Sequence, residues 1–191
     1  EFISRYHNMI REENRRMHTQ VENVLRISKL EKDELDLEKA AVNLHEIITD
    51  AVTHVSLIVE NKGGYIKTHF FAENSNIFGS DLHLTNIIVN IIDNGIKYTE
   101  GAPEIDIYTE NINNYVVVKV VDKGIGMSKS VQKKIFEKFY REQMGNIHNV
   151  KGHGLGLSYV KRILDDHDAE INVESEKGNG STFIIKLELI T

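Results

Sequence analysis

The chain has 191 residues, 40% of them hydrophobic and 27% charged, with a formal net charge of -6 at pH 7. Those proportions describe a soluble globular protein with room for one ordinary domain plus an appendage, and the acidic balance offers no basic footprint for nucleic acid. Zero Cys excludes disulfides and thiolate metal sites, no apolar run approaches the ~18 residues of a membrane span, and the N-terminus resembles no secretory signal.

From Ile3 the apolar residues Ile3, Ile10, Met17 and Val24 recur every seven positions, broadened by Val21, Leu25 and Ile27. This predicts a long N-terminal helix that seeks partner helices. The highly charged run 31–39 reads as an exposed connection, so the boundary between residues 1–37 and a domain at 38–191 is placed there. A helix then opens on Asn43 as N-cap and ends at Gly63-Gly64. Residues 65–72 and 76–79 read as strands, and a helix capped by Asp81 runs to about Tyr98. After Pro103, 104–110 and 115–121 form a hairpin around 111–114. A short helix over 130–137, a longer one over 155–166, and strands over 171–174 and 182–189 complete the chain. The stretch 142–151 has no apolar periodicity and is the candidate lid. The fold class that follows is α/β: a two-layer sandwich with a mixed sheet covered on one side by helices.

Chemistry concentrates in a few segments. Val121-Asp122-Lys123-Gly124-Ile125-Gly126-Met127 puts a carboxylate at a strand exit, where it can accept a hydrogen bond from an exocyclic amine, with Gly124 and Gly126 allowing close ligand approach. Alone, such an Asp-Gly run is most often only a turn. On the helix before Tyr98, Asn90 and Asn94 share a face and Lys97 lies close to it. Amide oxygens of this kind can ligate Mg²⁺ and an ammonium can neutralise phosphate, although the same amides can equally serve nearby backbone. Gly152, Gly154 and Gly156 lead into a helix whose free N–H groups can receive phosphate oxygens. The chain contains no Walker motif.

Taken in order, Asn90 to Tyr98, Asp122 to Gly126, Phe136-Glu137-Lys138-Phe139-Tyr140-Arg141, Gly152-His153-Gly154-Leu155-Gly156-Leu157, and Gly178-Asn179-Gly180-Ser181-Thr182-Phe183 closely resemble the N, G1, F, G2 and G3 boxes of sensor histidine kinases, within the GHKL group that also holds gyrase and mismatch-repair ATPases. The resemblance implies an ATP site formed by Asn90, Asn94, Lys97, Tyr98, Asp122, Gly124, Gly126, Gly152, His153, Gly154, Leu155, Gly156, Leu157 and Thr182. In that scheme Asp122 reads the adenine amino group, Tyr98 packs on the ring, Thr182 helps fix the adenine end and Asn94 ligates Mg²⁺. Asn90, Lys97 and Arg141 carry the catalytic roles.

The resemblance also implies partners: a response-regulator receiver domain and, in a longer protein, a homodimer through a helical hairpin whose second helix matches Tyr6 to Leu30. It further implies a location on the cytoplasmic side, with membrane anchoring by segments outside this chain. Three departures refine the expectation. GHKL ATPases carry Glu where this chain has Asn90, and an amide cannot take a proton from water, which favours transfer over hydrolysis. His167-Asp168-Ala169 stands where many members have His-Gly-Gly. None of the nine His is followed by an acidic residue and then Pro, the acceptor context of the family, so the chain reads as a fragment with its acceptor His upstream. The rival readings are a non-catalytic nucleotide-sensing module and a GHKL ATPase.

Overall fold

The computed structural model describes residues 37–141 and 154–190 together with Tyr6, Arg11 and Asn14. The chain divides into two compact units, Glu1–Asp36 and Leu37–Thr191. Of the expected N-terminal helix only Tyr6, Arg11 and Asn14 are described, each helical, and the seven-residue stripe lies outside the described residues. So does the expected lid, 142–151.

The second unit opens with strand β1 (Ala40–Asn43), followed directly by helix α1 (Leu44–Asn61). Asn43 caps that helix, its side-chain oxygen accepting from the N–H groups of His45 at 2.9 Å and Glu46 at 3.3 Å. Strands β2 (Tyr65–Phe70) and β3 (Asn76–Gly79) precede helix α2 (Asp81–Lys97). The N-cap of α2 is Ser80, not Asp81, and it makes no side-chain cap bond. Asp81 instead accepts from the Thr85 hydroxyl within the first turn.

The hairpin of β4 (Glu104–Ile112) and β5 (Tyr115–Asp122) turns at Asn113, whose φ of 54° lies in the left-handed region that Asn tolerates. The short helix α3 (Lys129–Gln132) stops well before the expected residue 137. Helix α4 (Gly156–Asp166) and strands β6 (Glu170–Ser175) and β7 (Ser181–Glu188) close the unit.

The main sheet has the order β2-β4-β5-β7-β6, with β2 parallel to β4 and the other pairs antiparallel. β1 and β3 form a separate two-stranded ribbon. Alternation decides which face is covered. Ile105, Ile107, Val116, Val118, Val120, Phe183, Ile185 and Leu187 are buried on one face, which meets Leu44, Ile47, Ile48 and Ala51 of α1, Ile87, Ile88, Ile91 and Ile92 of α2, and Val160, Ile163 and Leu164 of α4. Each fully buried side chain of this size contributes about 1.5–3 kcal/mol relative to exposure, which holds the three helices to that face.

Three buried polar residues interrupt the apolar face, Thr109 in its middle and Asp122 with its cross-strand partner Ser181 at its edge. Thr109 is satisfied by His45, Nε2 to Oγ1 at 2.9 Å, and burial pushes that imidazole below its ordinary pKa. Asp122 and Ser181 stand where the covered face runs out.

Candidate functional site

Asp122 is 7% exposed. Its Oδ1 accepts from the Gly124 N–H at 2.8 Å and the Ser181 N–H at 3.3 Å. Burial raises its pKa above the usual carboxylate value, and the two backbone bonds pull in the other direction. The strand exit comes close to α2 because residue 95 is glycine: a Cβ there would stand 3.2 Å from the Asp122 Cβ.

The loops around Asp122 interlock through their backbones. A Cβ on Gly126, at φ 63°, would fall 1.9 Å from the Glu176 carbonyl, and one on Gly180, at φ 80°, would fall 2.0 Å from the Asp122 carbonyl. Ile125 N–H donates to the Tyr98 carbonyl at 3.0 Å, and Gly178 N–H to the Ile125 carbonyl at 2.7 Å. The Ser175 hydroxyl adds a side-chain staple, accepting from Met127 N–H at 2.8 Å and donating to the Gly180 carbonyl at 2.7 Å. Gln132 reinforces it by donating to the carbonyls of Met127 and Ser175. A Cβ on Gly124 would stand 2.8 Å from both Asp122 Oδ1 and the Tyr98 carbonyl, so the cradle beside the carboxylate exists only for glycine.

A second group of residues gathers along α2 toward the start of α4. Asn90 and Asn94 are half-buried one turn apart. Asn90 donates through Nδ2 to the Asn86 carbonyl at 2.7 Å, and its Oδ1 would stand 3.0 Å from a Cβ on Gly156. The amide oxygen therefore faces the first residue of α4. That helix has Leu155 as its N-cap, which makes no side-chain cap bond, and the first N–H groups of a helix have no partners within it and can receive an acceptor from outside. Lys97 is exposed and paired with Asp93 one turn back. Phe139, at φ 63°, donates through its N–H to the Gly154 carbonyl at 3.0 Å, which ties the end of the F-box turn to the glycine before α4. Arg141 is exposed beside it. Gly152 and His153 lie outside the described residues, while Gly154, Leu155, Gly156 and Leu157 are half-buried at the head of α4.

The structure thus brings Tyr98, Asp122, Gly124 and Gly126 together at one end of α2, and Asn90 and Gly156 together further back along it. It does not place Thr182 beside Asp122. In the register of β5 and β7, Thr182 pairs with Val121 and Ser181 with Asp122, so alternation puts Ser181 on the carboxylate's face and Thr182 on the opposite one. Ser181 is 8% exposed. Its position directly after Gly180 is the signal the sequence offers for it. Among the described residues no group of three or more His, Cys, Asp or Glu could hold a metal ion. An amide oxygen such as that of Asn94 is a hard donor of the kind Mg²⁺ takes alongside phosphate and water.

A model of the histidine kinase-, DNA gyrase B- and HSP90-like ATPases matches residues 79–191. The chain belongs to that family. "Sensor protein RprX" of Bacteroides fragilis is 39% identical over 184 residues, covering 95% of this chain and 36% of RprX. The chain therefore spans about a third of that relative's length. Among solved structures, full-length ShkA in complex with AMPPNP shares the fold with a TM-score of 0.76 and 25% identity, over 88% of this chain and 35% of ShkA. Histidine kinase ThkA in complex with response regulator protein TrrA aligns with a TM-score of 0.67 and 21% identity, over 89% of this chain and 49% of ThkA. ShkA and ThkA thus share the fold of this chain. No helix among the described residues is long and apolar enough to cross a membrane.

Proposed function

We propose that residues 38–191 form the ATP-binding catalytic domain of a protein-histidine kinase, which delivers the ATP γ-phosphoryl group to a His on a separate helix for relay to a response-regulator Asp. The observation that carries this reading is the buried carboxylate of Asp122 at a strand exit, set in a glycine cradle beside one end of α2, with Asn90 further back along α2 against the first residue of α4. Support also comes from RprX, a sensor protein, from ShkA with its bound AMPPNP, and from ThkA with its response regulator.

In this reading Asp122 accepts the adenine amino group, Ser181 replaces Thr182 at the adenine end, and Tyr98 borders the ring. Asn90 and Asn94 present amide oxygens, and Lys97 turns from Asp93 toward phosphate. The α4 N–H groups receive phosphate oxygens, and Arg141 steadies charge on the transferred group. Mg²⁺ held by Asn94 would neutralise phosphate charge and orient the γ-phosphate. Asn90 is an amide and cannot act as base toward water, which favours transfer over hydrolysis. Dimerisation through a hairpin and membrane anchoring are proposed for a longer protein.

Calorimetric titration of the 191-residue chain with MgATP tests the site. Asp122→Asn keeps an acceptor oxygen for Gly124 and Ser181 but loses the charge. Removing a hydrogen bond to a charged group costs about 1.5–3 kcal/mol, or roughly 10- to 150-fold in affinity. The folded pKa of Asp122 is raised, so its ionised form weighs against the unliganded fold at neutral pH, and that cost is relieved as pH falls through the raised value. Asp122→Asn should therefore leave the unliganded chain at least as stable at pH 7. Unchanged MgATP affinity in a folded Asp122→Asn protein would remove Asp122 from the site.

A further inference from the structure

Helix α4 is registered against α2 at three levels. At its start, Gly156 lies against Asn90. In its middle, the Tyr159 hydroxyl and His83 Nδ1 are 2.8 Å apart. At its end stands His167, whose Nδ1 is 2.7 Å from the Ile163 carbonyl of α4 and whose Nε2 is 3.0 Å from the Ser80 N–H at the head of α2. A carbonyl only accepts and a backbone N–H only donates, so the two partners fix the neutral ring with its proton on Nδ1. The ring has little room to move. A Cβ on Gly79 would stand 2.7 Å from the Leu84 Cδ1 and 3.1 Å from the His167 Cδ2.

We propose that His167 is a positioning residue: its neutral imidazole joins the end of α4 to the head of α2 and so holds the start of α4 in place beside Asn90, and protonation of Nε2 releases the join. A protonated ring would present an N–H to the Ser80 N–H, with no lone pair left to accept. The consequence for phosphate binding rests on the ATP-site reading; the join itself does not.

The charged and titratable groups around the ring come from three elements. Lys39, just before β1, donates to the Asp166 carbonyl. Asp166 and Asp168 flank His167 in the chain, and Asp81 and His83 lie in the first turn of α2. Burial is the main influence on the imidazole and lowers its pKa from 6.5. The Ile163 carbonyl, Asp166 and Asp168 act to raise it, and Lys39 acts with burial. With the folded pKa below the unfolded one, the unfolded chain takes up the proton first as pH falls. Stability is therefore fully present above about pH 6.5 and is lost on acidification toward the folded value.

The test compares the 191-residue chain with His167→Gln, whose acceptor oxygen does not titrate. NMR titration of the unliganded wild type should show the Ser80 amide shifting with the His167 ring. Urea unfolding at pH 7.5 and 5.5 should show a smaller loss in His167→Gln than in wild type. MgATP affinity should fall on acidification by about two- to twelvefold more in wild type than in the variant, the scale of one hydrogen bond; the ligand's own titration cancels in that comparison.

Parallel losses of stability and affinity in the two proteins would overturn the proposal. So would a His167 that titrates without any response at Ser80, which decides the matter even if the variant fails to fold. If neither protein binds MgATP at pH 7.5, the ATP-site reading fails, while the NMR and unfolding results still judge the join.

Discussion

Around Asp122 the groups are held by backbone: Ile125 to Tyr98, Gly178 to Ile125, and glycines at 126 and 180 packed against carbonyls with no space for a Cβ. Further back along α2 the groups are side chains, two half-buried amides and an exposed ammonium, with Asn90 against the first residue of α4. The first region fixes where a base would lie to within the tolerance of a hydrogen-bond ladder. The second leaves the phosphate end adjustable, governed by charges that water and salt can screen. In the proposed ATP site this would pair a shape-fixed base end with a charge-governed phosphate end.

Gly126→Ala strikes the backbone-held region hardest. Its Cβ would need to displace the Glu176 carbonyl, and the residue would keep a left-handed φ. A left-handed non-glycine costs about 1–2 kcal/mol and overpacking about 1–3 kcal/mol, so a loss of about 2–5 kcal/mol is expected in urea unfolding. An alanine variant within about 1 kcal/mol of wild type would mean that the loops are not interlocked.

Ser175→Ala removes the staple between the loops. It leaves the Met127 N–H without its hydroxyl acceptor and should lower stability by about 1–3 kcal/mol. A variant with an unshifted urea midpoint would show that Gln132 and the backbone contacts suffice.

The smallest change belongs to the charged region. Asp93→Asn frees Lys97 from a pair in which both side chains are more than a third exposed, and such pairs contribute about 0–1 kcal/mol. Stability should move by less than that, and MgATP affinity should hold or rise when measured at low salt. A clear loss of affinity would show that Asp93 assists the site directly.

Much of the fold is legible in the sequence because its signals are local. The apolar runs of β5 and β7, the apolar stripes of α1 and α2, and the Asn43 cap all act within a few residues. Asp122 is legible because its cradle needs glycines two and four positions on. β1 is not, since four residues with no alternation are a strand only through pairing with β3. The helix expected to reach 137 ends at Gln132, and the chain beyond Lys133 turns toward the left-handed Phe139 bonded to Gly154.

Thr182 and Ser181 are hard to tell apart in the sequence because a one-residue difference exchanges sheet faces, and only the pairing register settles it. His167 matches a family position, but its join to Ser80 is not readable, because that partner lies 87 residues earlier. The departure from His-Gly-Gly has a simple outcome: Asp168 occupies the left-handed region, φ 52°, that glycine would fill.

The main sheet also contains a seam. β4 with β5 and β6 with β7 are each local hairpins, but β5 meets β7 across 59 residues at Asp122 and Ser181, whereas Ser175 and Ser181 are 6 apart. By loop-closure entropy the longer join costs about 2 kcal/mol more. Its end rung is tied by the Asp122 carboxylate on the Ser181 N–H. A ligand seated there stitches the seam shut, and at a hundred times its dissociation constant it adds about 2.7 kcal/mol to the folded state, comparable with the entropy the long closure consumed.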